Sequence, residues 1–200
     1  MFDPPLLVVV TGAPASGKTG VAERLAAALR IPFVVKDTFK ETLYEEIGDD
    51  EALEPAIERA GLAILFRVVH AQLEAGVSVV AESNFDARTD TAPFRRLCDE
   101  HDARLVQVHC RRDEEVLLRR FAERSASGDR HPGHGDEPED AAVVQADLRA
   151  GRWDPLDLPG ALVEYDKDRQ DEEELVARVR SAAPDQGPAP FSSRWGGASQ

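Results

Sequence analysis

The sequence predicts an α/β fold built on a parallel sheet. Five short apolar runs alternate with stretches of helical periodicity along the 200 residues, the pattern that right-handed strand–helix–strand crossovers leave in a sequence. The first run, Leu6 to Val10, leads into Gly12-Ala13-Pro14-Ala15-Ser16-Gly17-Lys18-Thr19, a complete GxxxxGK[ST] phosphate loop. A helical pattern, Val21 to Leu29, follows at once. Strand, glycine-rich turn and helix start are the context this motif requires.

Taken in order, the strands are expected over Leu6–Thr11, Phe33–Lys36, Val77–Ala81, Arg104–His109 and Ala161–Tyr165. Helices are expected at about Gly17–Leu29, Phe39–Ile47, Glu54–Ala75, Ala87–Glu100, Glu114–Ser125, Glu139–Ala150 and Glu172–Ala182. Pro32 ends the first helix. In the long third helix Ile57, Ile64, Leu65, Val68 and Leu73 recur near helical spacing, which gives it a core face. The length suits one domain. Residues 1–182 form it, with a lid at about 111–137, and 183–200 read as a flexible tail rich in Pro, Gly and Ser. Ser127 to Pro138, rich in Gly, His, Asp and Pro, reads as a mobile loop.

The phosphate loop carries the most specific chemistry. Residues Gly12, Ala13, Pro14, Ala15, Ser16, Gly17, Lys18, Thr19 and Gly20 would wrap the phosphates of a nucleoside triphosphate, through the backbone N–H groups of all but Pro14. Lys18 would reach the terminal phosphates, and the Thr19 hydroxyl would ligate Mg²⁺. Because the strands are parallel, their C-terminal ends share one rim, where ligands bind. Asp37, Glu82-Ser83, Cys110-Arg111 and Asp166 should therefore crowd around the loop. Asp37 could act as general base toward an attacking hydroxyl or cap the second helix. Thr38 and Glu41 match a capping box, which makes Thr38 the better cap and leaves Asp37 available. Glu82 stands at the strand end where P-loop enzymes hold the metal or its water. Lys36 and Lys40 could bind substrate anions or lie solvated. Asn84, Phe85 and Arg88 follow Glu82 as candidate substrate contacts, with turn, core and surface roles equally open.

The segment after the fourth strand carries Arg111, Arg112, Arg119, Arg120, Arg124 and Arg130. Arg120 and Arg124 share a helix face, and Arg130 lies in the loop beyond. Guanidinium groups above a phosphate loop suit charge neutralisation in phosphoryl transfer, so this segment reads as the lid. The His131-Pro132-Gly133-His134 stretch could meet nucleotide or substrate, or bind a metal weakly with Asp136, Glu137 and Asp140.

The net charge of −14 argues against a polynucleotide or an anionic membrane as partner. Leu6 to Val10 is too short to span a bilayer, and acidic Asp3 precedes it, so a cytoplasmic location is expected. Cys98 and Cys110 make no disulfide framework. The guanine signature Asn-Lys-x-Asp of switch GTPases is missing, although Asp166-Lys167-Asp168 echoes part of it.

On Gly12–Thr19, Asp37, Glu82-Ser83-Asn84 and Arg120/Arg124/Arg130, the chain resembles the small P-loop kinases grouped with chloramphenicol phosphotransferase, the kinase domain of polynucleotide kinase and zeta-toxin sugar kinases. The resemblance covers about residues 5–182 and implies a three-layer P-loop NTPase fold with strand order 2-3-1-4-5. It implies ATP and Mg²⁺, Asp37 as base, and lid arginines that clamp phosphates. The function expected is a kinase that transfers to a hydroxyl of a small molecule. A polynucleotide 5′-hydroxyl is the alternative acceptor, and a nucleotide-dependent switch or toxin-like interaction protein is the alternative of another class. Two departures stand out: Glu82 where Asp is commoner, and the His-Pro-Gly-His loop.

Overall fold

The computed structural model describes residues 4–48, 50–127, 131–134 and 140–183. Strands β1 (Leu6–Thr11), β2 (Phe33–Val35), β3 (Val79–Glu82), β4 (Arg104–Arg111) and β5 (Ala161–Asp166) form one parallel sheet in the order β2-β3-β1-β4-β5. The described helices are α1 (Lys18–Leu29), α2 (Lys36–Ile47), α3 (Glu54–Glu74), α4 (Thr91–His101), α5 (Glu114–Ala126), α6 (Ala141–Arg149) and α7 (Glu172–Ala182). None is long and apolar enough to cross a membrane.

β1 is buried along its whole length because it lies mid-sheet with helices on both faces. Its alternating side chains divide the core in two. Leu6, Val8 and Val10 pack with Val21 and Leu25 of α1 and Leu175 and Val179 of α7. Leu7 and Val9 pack with Leu65, Val69 and Leu73 of α3 and Phe94 and Leu97 of α4. A third cluster joins Ala13 of the phosphate loop to Leu117 and Phe121 of α5, Val144 of α6 and Trp153. The arginine-bearing helix is thus anchored by apolar contact directly on the loop. Burial pushes the Cys98 thiol up to about 11 and the Cys110 thiol up to about 12, so both stay protonated core side chains at neutral pH.

Several element ends differ from expectation, each for a tertiary reason. Lys36 opens α2 instead of closing β2, so the expected Thr38 cap is not realised and Thr38 lies within the helix. The N-cap residue, Val35, is extended and offers no side-chain cap. The entry to α2 is fixed from outside, by the ion pair of buried Lys36 with Glu58 of α3. β3 starts at Val79 and runs on through Glu82 because Glu82 pairs in register with Val10 and Val35. α4 starts at Thr91 because Asp86 and Asp90 organise a turn: Asp90 Oδ2 accepts from the Asp86 N–H at 2.8 Å, and Asp86 Oδ1 accepts from the Arg88 N–H at 2.9 Å. Pro132–His134 forms a 3₁₀ turn seated on α2. Of the expected mobile loop, residues 128–130 and 135–138 lie outside the described residues, as does the expected tail beyond Ala183.

Candidate active site

The loop between β1 and α1 turns through Gly12 (φ +148°), Ala15 (φ +62°) and Gly17 (φ +88°). A Cβ on Gly12 would drive into the Cys110 carbonyl oxygen, so β4 presses against the loop at a point only glycine permits. Gly12→Ala should therefore destabilise the fold by about 3 kcal/mol from strain and overpacking combined. At this chain length that is a Tm loss of about 6–12 °C, read by calorimetry. Gly17 caps α1 with no side-chain hydrogen bond, and the first turn of α1 holds no acid. The N-terminal amides of α1 therefore face the loop without an internal anion, the arrangement that receives phosphate oxygens.

Arg112 braces the loop. Its side chain is 1% exposed; Nε donates to the Ser16 carbonyl at 3.1 Å, and Nη1 pairs with Asp168. This strut was not distinguishable among the neighbouring arginines in sequence. Its signal was its place just beyond a strand that enters the rim. Between Arg112, Arg119, Arg120 and Asp168 lies an open cavity of about 480 Å³.

The rim gathers the expected charged residues. Glu82 is 2% exposed, and burial pushes its carboxyl above the usual range; Lys18 opposes that push, nearby Asp37 adds to it, and a hydrogen bond from Thr19 opposes it. Burial lowers the Lys18 ammonium, against the attraction of Glu82 and Asp37 and with the repulsion of Arg124. Burial likewise lowers the Arg124 guanidinium, against the pull of Asp37. Lys18, Glu82, Asp37 and Arg124 therefore share one electrostatic neighbourhood. The Arg124 guanidinium sits 5.7 Å from the centre of the Phe121 ring, which fixes its direction. Oxygen Oε2 of Glu82 is buried without a hydrogen-bond partner among the described residues, while the carboxylate also meets Thr19. A hydroxyl and an acceptor-only carboxylate side by side are hard oxygen donors, and they fit Mg²⁺.

The remaining expected residues are spread more widely. Asp37 stands half-exposed in the first turn of α2. Lys40 is buried, with Nζ 3.1 Å from Glu58 Oε2 and 3.9 Å from Glu54 Oε1. Burial works to raise the Glu58 carboxyl, but Lys36 and Lys40 together hold it below its ordinary value. Asn84 accepts from the Ser83 hydroxyl at 3.3 Å. Arg88 is exposed and holds Asp86 in a two-pronged pair, 2.9 and 2.6 Å, whose hydrogen bonds keep the Asp86 carboxyl at about 2. Arg120 is exposed, with Nη1 4.0 Å from Asp168 Oδ1, beside the cavity. Arg130 lies outside the described residues.

The His-Pro-Gly-His turn reaches the first turns of α2 at the rim. His134 Nε2 lies 2.7 Å from Glu41 Oε1, and its Nδ1 lies 3.9 Å from Asp37 Oδ2. His131 Nε2 lies 3.4 Å from Glu45 Oε1, and its ring meets Tyr44 edge-on at 5.5 Å. Gly133 packs so closely on Tyr44 that no Cβ would fit. The sequence made these two histidines conspicuous without indicating α2 as their seat.

A parallel 2-3-1-4-5 sheet with this loop after its central strand defines a P-loop fold of the nucleotide-binding, kinase-like kind. The chain belongs to the AAA domain family, whose model matches residues 7–146. A candidate kinase of Chloroflexus aurantiacus is 32% identical over 90% of this chain and 98% of that one, with a TM-score of 0.80. A sugar kinase of a Janibacter species (21% identity, TM-score 0.60, 92% of this chain and 96% of that one) shares the fold. So does a gluconokinase of Sinorhizobium meliloti (19%, 0.55, 92% and 93%). No curated protein matches the chain.

Proposed function

We propose that the protein is an ATP-dependent kinase that transfers the γ-phosphoryl group to a hydroxyl of a small molecule. The observation that carries this reading is the convergence of Lys18, Glu82, Asp37 and Arg124 at the rim beside an uncapped helix N-terminus. Residues Gly12 to Gly20 would hold the phosphates, and the cavity beside Arg112 and Arg120 would take the nucleoside. Thr19 and Glu82 would hold Mg²⁺, which supplies charge neutralisation at the phosphate oxygens. Asp37 accepts the proton of the attacking hydroxyl, and Lys18 with Arg124 stabilises the charge on the transferring group. Arg120 and Arg130 complete the set of arginines assigned to the phosphates. Lys40, Asn84 and Arg88 would contact the acceptor; Lys40 pairs with Glu58 and Arg88 with Asp86.

The resemblance to chloramphenicol phosphotransferase and its relatives supports a hydroxyl acceptor, and the acidic surface supports a small one. The test is a labelled-ATP assay against two panels, one of sugars and other polyhydroxy compounds and one of oligonucleotides with free 5′ ends. Transfer to a small hydroxyl compound is expected. Transfer to oligonucleotides alone would assign the acceptor to nucleic acid. Nucleotide binding with no transfer in either panel would favour a switch.

A further inference from the structure

We propose that His70, Glu100 and His101 form a binding site for a divalent transition-metal cation of the zinc class, separate from the phosphate loop. His70 lies in the penultimate turn of α3, and Glu100 and His101 close α4. Both helices run back from the C-terminal rim of the parallel sheet, so their last turns lie at the opposite edge from Lys18 and Glu82.

The donor geometry is the first argument. His70 Nδ1 and His101 Nε2 face each other at 3.0 Å, and Glu100 Oε2 lies 3.9 Å from His70 Nδ1. All three ligand atoms fall within 4.8 Å of one another. In a neutral pair at that distance one ring nitrogen donates its proton to the lone pair of the other. A cation between them receives both lone pairs once the donor ring's proton moves to its other nitrogen, so both rings stay neutral and no proton is lost. Nitrogens bound to tetrahedral zinc stand about 3.3 Å apart, so the pair needs to open by a few tenths of an ångström and the rings to turn until both lone pairs meet at the ion.

The second argument is the surrounding shell. The other nitrogen of His70, Nε2, lies 4.0 Å from Glu74 Oε2, one helical turn on. A small side-chain rotation would bring this carboxylate within hydrogen-bond distance of the far nitrogen, where such a partner orients a ligating imidazole and raises its basicity. The two rings meet edge-on, 4.7 Å between centres, at the junction of two helices already packed through Phe66 and Phe94. The site is half-exposed, so water completes a fourth position. Two imidazoles and one carboxylate select zinc, cobalt, nickel or copper over magnesium. The strongly negative chain favours the cation at long range.

Titration of the full chain with Co²⁺ tests the site. The wild type should develop the visible ligand-field absorption of low-coordinate cobalt, saturating at one equivalent, and added Zn²⁺ should bleach it and raise Tm. His70→Gln and His101→Gln should each weaken binding at least about tenfold, and Glu100→Gln, which alters only an exposed surface group, should weaken it measurably. The double variant His131→Gln/His134→Gln should bind as the wild type does. Absence of the cobalt signal, or its persistence unchanged in Glu100→Gln and His70→Gln, overturns the site. So does its loss in the His131/His134 variant.

Discussion

Replacing Lys18 by methionine is expected to lower kcat by about 10²–10³-fold, the usual cost of losing one preorganised charge at a transferring group. Methionine keeps the length and the apolar stem and removes only the ammonium. The same substitution should not lower the stability of the nucleotide-free protein. Burial lowers the Lys18 pKa from its ordinary 10.5 despite Glu82 and Asp37, so the charged form is disfavoured by folding. For a base with a depressed pKa, that cost is present below the depressed value and fades as the pH rises toward 10.5. At neutral pH the variant escapes it. Calorimetry without nucleotide should show a Tm equal to or above that of the wild type, beside a near-inactive enzyme. Full turnover in Lys18→Met would remove the loop from catalysis. A sharp fall in Tm would mean that Lys18 chiefly neutralises Glu82 and Asp37.

Asp37→Asn is expected to lower kcat for transfer by about 10²–10⁴-fold, with ATP affinity little changed. The carboxylate stands in the first turn of α2, close enough to Lys18 and Arg124 to shift both, yet on an element that contributes nothing to the phosphate loop. The amide keeps the shape and the helix start while losing the proton acceptor. Single-turnover transfer to an identified acceptor separates the chemical step from nucleotide binding. Unchanged kcat would take the base role from Asp37. A raised KM for the acceptor with kcat intact would leave it as a binding group. Slow ATP hydrolysis without acceptor should survive, because water needs no fitted base at that position.

The parts legible in sequence were those written locally. Gly12 to Thr19 sits in consecutive positions, and the alternation of apolar runs with helical periodicity describes a parallel sheet with little help from distant contacts. The rim followed from topology alone, which is why Asp37 and Glu82 could be set beside Lys18. What escaped was decided by partners far along the chain. Glu58 reaches back 22 residues to fix where α2 begins, overriding a plausible capping box at Thr38. Arg112 is set apart from its exposed neighbour Arg111 by partners 56 and 96 residues away, Asp168 and the Ser16 carbonyl. Arg88, for which a substrate contact and a surface role were equally open, pairs with Asp86 two residues away in a local turn. The histidines at 131 and 134 found α2 through Tyr44, Glu41 and Glu45, a pairing that no periodicity encodes.

The order of the sheet has a further meaning for how such a protein can change. The phosphate loop leaves the central strand. β4, β5 and the brace through Arg112 lie to one side of it, and β2 with α2 and its Glu58 clamp lies to the other. The two flanks share their core: Val80 packs in one cluster with Val108 and Val163, and Val34 in another with Leu105. The exposed residues of α2 and α3 lie outside both clusters, so they can change while that shared support of the phosphate loop stays intact. Under the proposed chemistry, a lineage could exchange one acceptor for another by drift on one side of a line that runs down the middle of its own sheet.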